Sequence, residues 1–273
     1  LLASAQRNGF RKIVLTDINN TSGVLDFVRL APDYSIDPVV GIEFRAGIAH
    51  YYTGIAHNNE GFHELNEFLT RVSSRGTSFP LDLPALPPSS VNVSWVVPFD
   101  EAAIARMTAA KDPRSASSFR FHIAVRPDQL GRLRLSPWKN HPERLVAWWP
   151  VTLRDPNDRE VHRLLRAVDR NVLLSRIEEH ELAARYEVMP SSERLAKAFR
   201  DAPELLENAE KLIASSGIAF DFRESKNKQT FSGSKTLDRE LLRKETMKGL
   251  QDRYAERPSS VMERVEKELT MIN

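Results

Sequence analysis

The sequence predicts an α/β fold built on a parallel sheet, most economically a barrel closed on itself with helices outside. Three observations carry that expectation. Short apolar runs and amphipathic helical periods alternate along most of the chain. The first run, Ile13, Val14 and Leu15, has the composition of a strand buried on both faces and ends in the polar pair Thr16-Asp17. A polar loop at 18–22 then leads into a helical period of Val24, Phe27, Val28 and Ala31, followed by a second buried run at 38–44. Asn20, Thr21 or Ser22 can cap the helix that begins near Gly23. A polar cluster at the carboxyl end of a parallel strand is where such folds place their sites.

Each element follows from its own pattern. Leu1, Leu2 and Ala5 read as the end of a helix stopped by Asn8-Gly9, so the chain is expected to begin inside an element, with a segment upstream. A strand is expected at 51–56, and a helix at 60–72 with Phe62, Leu65, Leu69 and Val72 on one face. Residues 77–90 carry Pro80, Pro84, Pro87 and Pro88, too many for a regular element. A strand at 91–97, a helix at 101–110 and a strand at 119–125 follow, then a short helix opened by Pro127 and a strand at 145–149 ended by Pro150. From Asp158, the residues Val161, Leu164, Leu165, Val168 and Val172 mark a long amphipathic helix through about Arg176. Beyond Met189-Pro190 the pattern turns helical, with a strand-like run at 218–222, a polar basic loop at 226–235 and two closing helices at 237–254 and 258–272. The last keeps Val261, Val265, Leu269 and Ile272 in register, an apolar face that needs a partner.

Composition bounds the chemistry. The chain has 273 residues, 41% of them hydrophobic and 28% charged, as in ordinary globular proteins. It has no cysteine, which removes disulfides, thiolate catalysis and cysteine-bound zinc within these residues. No apolar run approaches the roughly 20 residues that span a bilayer, so no membrane partner is expected and the cytoplasm is the expected location. The formal charge of +2 is too small to announce a nucleic-acid protein by itself.

The segments LTDINNTSGVLDF, PVVGIEF, GIAHNNEGFHELN, HRLLRAVDRNVLLS and KNKQTFSGSK, in this order, resemble the N-terminal part of bacterial replicative (C-family) DNA polymerase III alpha subunits, in the form found in Bacteroidetes-like bacteria. The resemblance implies a PHP (polymerase and histidinol phosphatase) domain over residues 1–215, a distorted (β/α)7 barrel whose first strand and first motif lie upstream. Residues 216–273 would then be a mainly helical segment, the linker and start of the polymerase palm/thumb region. It implies a parent activity of template-directed deoxynucleotide addition, a DNA-directed DNA polymerase using Mg²⁺, with the catalytic carboxylates beyond Asn273. The implied partners are DNA and deoxynucleotides, with the exonuclease subunit, sliding clamp and clamp loader as possible replisome contacts.

Active members of that family hold two or three divalent metals with histidines and carboxylates, and hydrolyse phosphoesters with them. Here the Thr-Asp-His motif reads Thr16-Asp17-Ile18, and the Asn-Asp-x-His stretch falls on Trp149, Pro150, Val151 and Thr152. The histidine of the next strand falls on Tyr51, with His50 beside it and therefore on the opposite face of a regular strand. Asp17 and Glu43 remain as remnant metal-site positions, and no catalytic residue, resident metal or cofactor is expected in these residues. Each has a plainer reading: Asp17 caps the following helix, and Glu43 sits in an internal salt bridge. His162 reads as a packed helix histidine, and His57, His63, His122, His141 and His180 as solvated surface. Arg126, Arg132 and Arg134, in a basic cluster with aromatic neighbours, and Lys226, Lys228 and Lys235 in the later loop, are the candidates for nucleic-acid or domain contacts. Three functions follow as expectations: a polymerase fragment whose barrel is a scaffold with a degenerate metal site, a metal-dependent phosphoesterase or 3′–5′ proofreading exonuclease, and an interaction module that docks replisome partners.

Overall fold

The computed structural model describes residues 1–73, 82–109, 121–223, 230–254 and 259–272. It divides into two compact units, Leu1–Phe220 and Asp221–Asn273. The first is an α/β unit around a curled six-stranded sheet with the strand order β1 to β6 in sequence: β1 (Lys12–Ile18), β2 (Asp37–Ala46), β3 (Ala49–Ala56), β4 (Val93–Pro98), β5 (Phe121–Val125) and β6 (Leu145–Ala147). The helices α1 (Leu2–Arg7), α2 (Val24–Leu30), α3 (Asn59–Ser73), α4 (Glu101–Ala109), α5 (Leu130–Leu135), α6 (Arg159–Asp169), α7 (Ser192–Ala198) and α8 (Pro203–Ala214) alternate with the strands or follow them. This is the α/β architecture that the alternating pattern predicts, with a half-barrel sheet in place of the closed barrel.

The all-parallel expectation needs one correction. β1 runs parallel to β2, and β4, β5 and β6 run parallel to one another, but β3 is antiparallel to both of its neighbours. Only Gly47 and Ile48 separate β2 from β3, and Gly47 has φ +62, so the chain folds back as a hairpin without a crossover helix. A parallel return would need a dozen or more residues. Among the described residues the barrel is not closed by a β6–β1 ladder either: β1 and β6 are the two edges of the sheet. Helix α8 reaches across that gap. Asn208 donates to Leu145 O at 2.9 Å on the β6 side, and the Lys12 ammonium of β1 donates to the carbonyls of Ile213, Ala214 and Ser216 at 3.0–3.3 Å. A cation on the free carbonyls of a helix C-terminus is favourable both as a cap and against the helix dipole.

Period-two alternation gives the sheet two apolar faces. Val39, Ile55, Val96, Ala124 and Val146, one each from β2 to β6, form the inner cluster, with Val14, Trp148, Ala209 and Leu212 against it. The outer face is larger and aromatic, with Phe44, Tyr52, Phe68 and Trp95 in mutual contact under α3 and α4. Buried Gly61 is why α3 can approach so closely: a Cβ there would meet Asn92 O at 2.1 Å.

Other expectations shift at their edges. β4 starts at Val93 and β6 ends at Ala147, each short of its apolar run; of the strand expected at 119–125, residues 119 and 120 lie outside the described residues and β5 covers Phe121–Val125. Residues 218–222 form no strand. α6 stops at Asp169 rather than near Arg176, because Asn171 takes a left-handed conformation at φ +50 and the Val172 amide returns to Ala167 O at 3.0 Å. The proline-rich 77–90 stretch is described only from residue 82.

In the second unit, α9 (Lys235–Arg253) and α10 (Ser259–Ile272) bury Leu250 and Leu269. Ser234 Oγ accepts from Leu237 N at 3.2 Å as the N-cap of α9, and Arg243 holds Glu266 through both carboxylate oxygens at 2.6 and 2.8 Å. Among the described residues no helix is long and apolar enough to cross a membrane.

Candidate functional site: the mouth of the half-barrel

The strand ends of β1, β2 and β3, the residues after β5 and β6, and helix α8 enclose a cavity of about 500 Å³. Its floor is the inner apolar cluster, with Val14, Ile55, Val146, Ala209 and Leu212. Its rim is polar and carries Glu43, Arg45, Arg126, Thr152 and Glu187 beside Trp148 and Trp149.

The two candidate carboxylates are not brought together. In the β1–β2 register Asp17 lies beside Ile42 and Glu43 beside Ile18, so their side chains leave opposite faces of the sheet. Asp17 Oδ2 accepts from Gly23 N at 3.1 Å, on the α2 side, where a Cβ at Gly23 would come within 2.8 Å of that oxygen. The loop side chains named as caps act otherwise. Asn20 Oδ1 accepts from Ser22 N at 3.0 Å, and Thr21 donates to Asn66 Oδ1 at 3.0 Å. Asn19, at φ +52, uses its amide to receive Arg45 N and donate to Arg45 O, both at 2.9 Å, which fixes the end of β2.

Glu43 faces inward, and the Arg45 guanidinium rests on it in an ion pair two residues along the same strand. His50 is on that face too, which corrects the strand-period expectation. A bulge between Phe44 and Arg45 leaves Tyr51 unmatched, so that Phe44 pairs with Tyr52 while Arg45 pairs with His50. The extra residue resets the alternation. His50 Nε2 lies 2.9 Å from Thr53 Oγ1, and Thr53 pairs with Glu43, while Tyr51 packs against the outer cluster under the Arg106 guanidinium, 4.3 Å from the ring centroid.

Across the mouth stands Glu187, buried, which no sequence pattern singled out. Its Oε2 accepts from Thr152 Oγ1 at 2.6 Å, its Oε1 from Ala184 N at 3.2 Å, and Arg126 Nη1 reaches Oε1 at 3.4 Å. Its backbone carbonyl takes the amides of Thr152 and Leu153, both at 2.9 Å. Trp149 donates to Val188 O at 3.0 Å and packs on Tyr186, whose hydroxyl donates to Asp128 at 2.9 Å. Burial, and then that carboxylate, push the Tyr186 phenol up to about 12.

Burial holds His50 down to about 4; Glu43 opposes the shift, and Arg45, Arg126 and Arg106 add to it. His50 is therefore neutral at pH 7. The folded value lies below the unfolded value of 6.5, so the unfolded chain takes up the proton first as pH falls. The stability contribution is complete above about pH 6.5 and is lost between there and about pH 4. Urea unfolding followed across pH 4 to 7 should show this slope, and His50→Gln should flatten it; an unchanged slope would place the titration elsewhere.

Residues 1–96 match the PHP domain. Over 175 residues, 61% of its length, the chain is also 27% identical to an error-prone DNA polymerase of Symbiobacterium thermophilum, and it spans 16% of that polymerase. The PHP match ends within β4, so it includes β1 to β3 and the Asp17, Glu43 and His50 positions but neither Arg126 nor Glu187.

A divalent metal does not fit this mouth. Among the described residues no group of three or more histidines and carboxylates is placed to hold one. Both inward carboxylates already carry guanidinium partners, and a metal dication between Arg45 and Arg126 would meet two like charges.

The remaining candidates disperse. Arg132 pairs with Glu101 at 2.8 Å and Arg134 with Asp201 at 2.9 Å, both exposed on α5, whereas Arg126 lines the cavity. Lys235 opens α9 in the second unit; Lys226 and Lys228 lie outside the described residues. His63, His141 and His180 are exposed beside carboxylates. His57 and His122 are instead half-buried, His57 at 2.7 Å from Ser94 Oγ and His122 with Nδ1 enclosed. His162 is half-buried on α6, its pKa lowered by burial and then by Arg166.

Proposed function

We propose that this chain is the N-terminal part of a bacterial C-family DNA polymerase, and that its PHP barrel serves as a scaffold in which ion pairs have replaced the metal site. One observation carries the scaffold reading: the Arg45 guanidinium sits on Glu43, the carboxylate that the PHP resemblance assigns to metal. The guanidinium offsets the carboxylate charge and its Nε–H occupies Glu43 Oε1, so a metal at this carboxylate would have to displace it. The PHP match and the similarity to an error-prone polymerase support the parentage. In this reading template-directed nucleotide addition, its Mg²⁺, DNA and deoxynucleotides, and any replisome partner belong to the longer protein, which works in the cytoplasm. The finer Bacteroidetes-like assignment rests on the ordered sequence segments.

The second reading, a phosphoesterase or proofreading exonuclease, has one feature in its favour: the bulge brings His50 to the Glu43 face. Metal analysis and nuclease assay of the longer protein separate the two. The expected result is template-dependent primer extension with Mg²⁺, no stoichiometric zinc or manganese in the barrel, and no nuclease activity that depends on Glu43. Stoichiometric metal together with nuclease activity abolished by Glu43→Ala overturns the scaffold.

A further inference from the structure

The cavity at the mouth is built of two unlike parts. Its floor is hydrocarbon, Val14, Ile55, Val146, Ala209 and Leu212, and offers a water molecule no polar partner. Trp148 packs against that floor and stays half-exposed, which leaves an indole surface to the space above it. The volume of about 500 Å³ lies within the roughly 300–1,000 Å³ of small-molecule sites. An apolar body laid on the floor would remove apolar surface from water on both sides of the contact.

The rim fixes what the other end of such a molecule carries. Arg45 uses only Nε, on Glu43, and Arg126 uses only Nη1, on Glu187 at 3.4 Å. Both Nη atoms of Arg45, and Nε and Nη2 of Arg126, therefore have no hydrogen-bond partner among the described residues, and none of the four is enclosed by protein. The acceptors of the two inward carboxylates are nearly used up. Glu187 Oε1 takes Ala184 N and Arg126, Glu187 Oε2 takes Thr152 Oγ1, and Glu43 Oε1 takes Arg45, which leaves Glu43 Oε2. Four free guanidinium nitrogens face one free carboxylate oxygen, so the mouth asks for an acceptor. The planar edge of a guanidinium matches a carboxylate through two parallel hydrogen bonds. Charge selects among oxyanions. Arg45 and Arg126 balance Glu43 and Glu187, so one added negative charge meets less repulsion here than two. A carboxylate brings one, whereas a phosphate monoester brings about 1.5 to 2 at pH 7.

We propose that the half-barrel mouth binds a small organic monocarboxylate, with its apolar or aromatic body on the floor against Trp148 and its carboxylate on the free edge of Arg126, Arg45 serving as the second cation. This goes beyond the scaffold reading and rests on the cavity alone, whatever the parent protein does. Calorimetric titration of the 273-residue chain with naphthoate, naphthol and naphthyl phosphate, which share one aromatic body and differ in the head group, tests it. Naphthoate is expected to bind once per chain and at least about tenfold more tightly than either of the others. Arg126→Met should weaken naphthoate by about tenfold or more, and Arg45→Met serves if that variant unfolds. Ala209→Phe fills the floor and should abolish binding, with Leu212→Trp as the second choice; a melting curve shows which variants are folded. Naphthol binding as tightly as naphthoate would leave an apolar hole with no head-group site, and naphthyl phosphate binding more tightly would make it a phosphate site; either overturns the proposal. So does an affinity unchanged by folded floor and arginine variants, or the absence of saturable binding. The same titration in the longer protein is expected to give the same affinity; binding confined to the 273-residue chain would mean that another segment fills the mouth, and overturns it as well.

Discussion

Trp95→Ala is expected to destabilise the Leu1–Phe220 unit by about 3–5 kcal/mol, read as a fall in the urea midpoint at unchanged slope. Trp95 is 2% exposed, at the centre of the outer face of β4. Its ring lies 5.4 Å from Tyr52, 5.9 Å from Phe44 and 6.0 Å from Phe68, edge-on to two of the three, and its indole Nε1 donates to Pro88 O at 3.0 Å. Alanine removes the packing of three aromatic neighbours, leaves a void that strands β2 and β3 cannot close, and frees the loop carbonyl at 88. Gly54 is part of the same arrangement: a Cβ there would meet Leu65 at 2.4 Å and the Trp95 ring at 2.8 Å, so this core has no slack. Trp95→Phe should recover much of the loss. A change below about 1 kcal/mol for the alanine variant would mean that the aromatic cluster is not the centre of the fold.

Glu187→Ala is expected to cost about 2–4 kcal/mol, the range for stripping the partner from several buried donors at once. The donors are Thr152 Oγ1, Ala184 N and the Arg126 guanidinium. Arg126 is partly exposed and can rehydrate, so the larger share of the loss comes from Thr152 and Ala184. Glu187→Gln keeps one acceptor oxygen and should cost less than half as much. Urea denaturation of both variants checks the order; equal losses would point to backbone strain around residue 187 instead of the network. The same pair bears on the scaffold reading, since the mouth is held by charges whose removal lowers stability.

Much of the architecture is legible before the structure. The apolar runs at 13–15 and 38–44, the helix periods and the break at Asn8-Gly9 locate α1, β1, α2 and β2 correctly, although β1 is half-buried rather than buried on both faces, because each rests on periodicity within a few residues. The hairpin was missed, because the expected runs at 38–44 and 51–56 stop short of the turn. Gly47-Ile48 between two strand-like runs is a two-residue turn signal, but a buried strand looks the same whichever way it runs. The site was less legible. Arg45 on Glu43 follows from strand spacing, two residues apart on one face. The bulge at Tyr51 carries no glycine and no other local mark, and it reversed the side on which His50 lies. Glu187 is far from Glu43 and Arg126 in sequence, and only the tertiary fold brings these three groups to one mouth.

The sequence by itself determined the α/β class and the alternation of elements, because both depend on residue type and short-range period. Only the tertiary structure decided which face each side chain uses. It sent Asp17 to the α2 side and Glu43 inward, brought His50 round by one inserted residue, and turned the arginines of α6 inward with its leucines out. A hydrophobic stripe does not by itself say which way a helix faces; the hydrogen bonds and ion pairs made by its opposite side decide that.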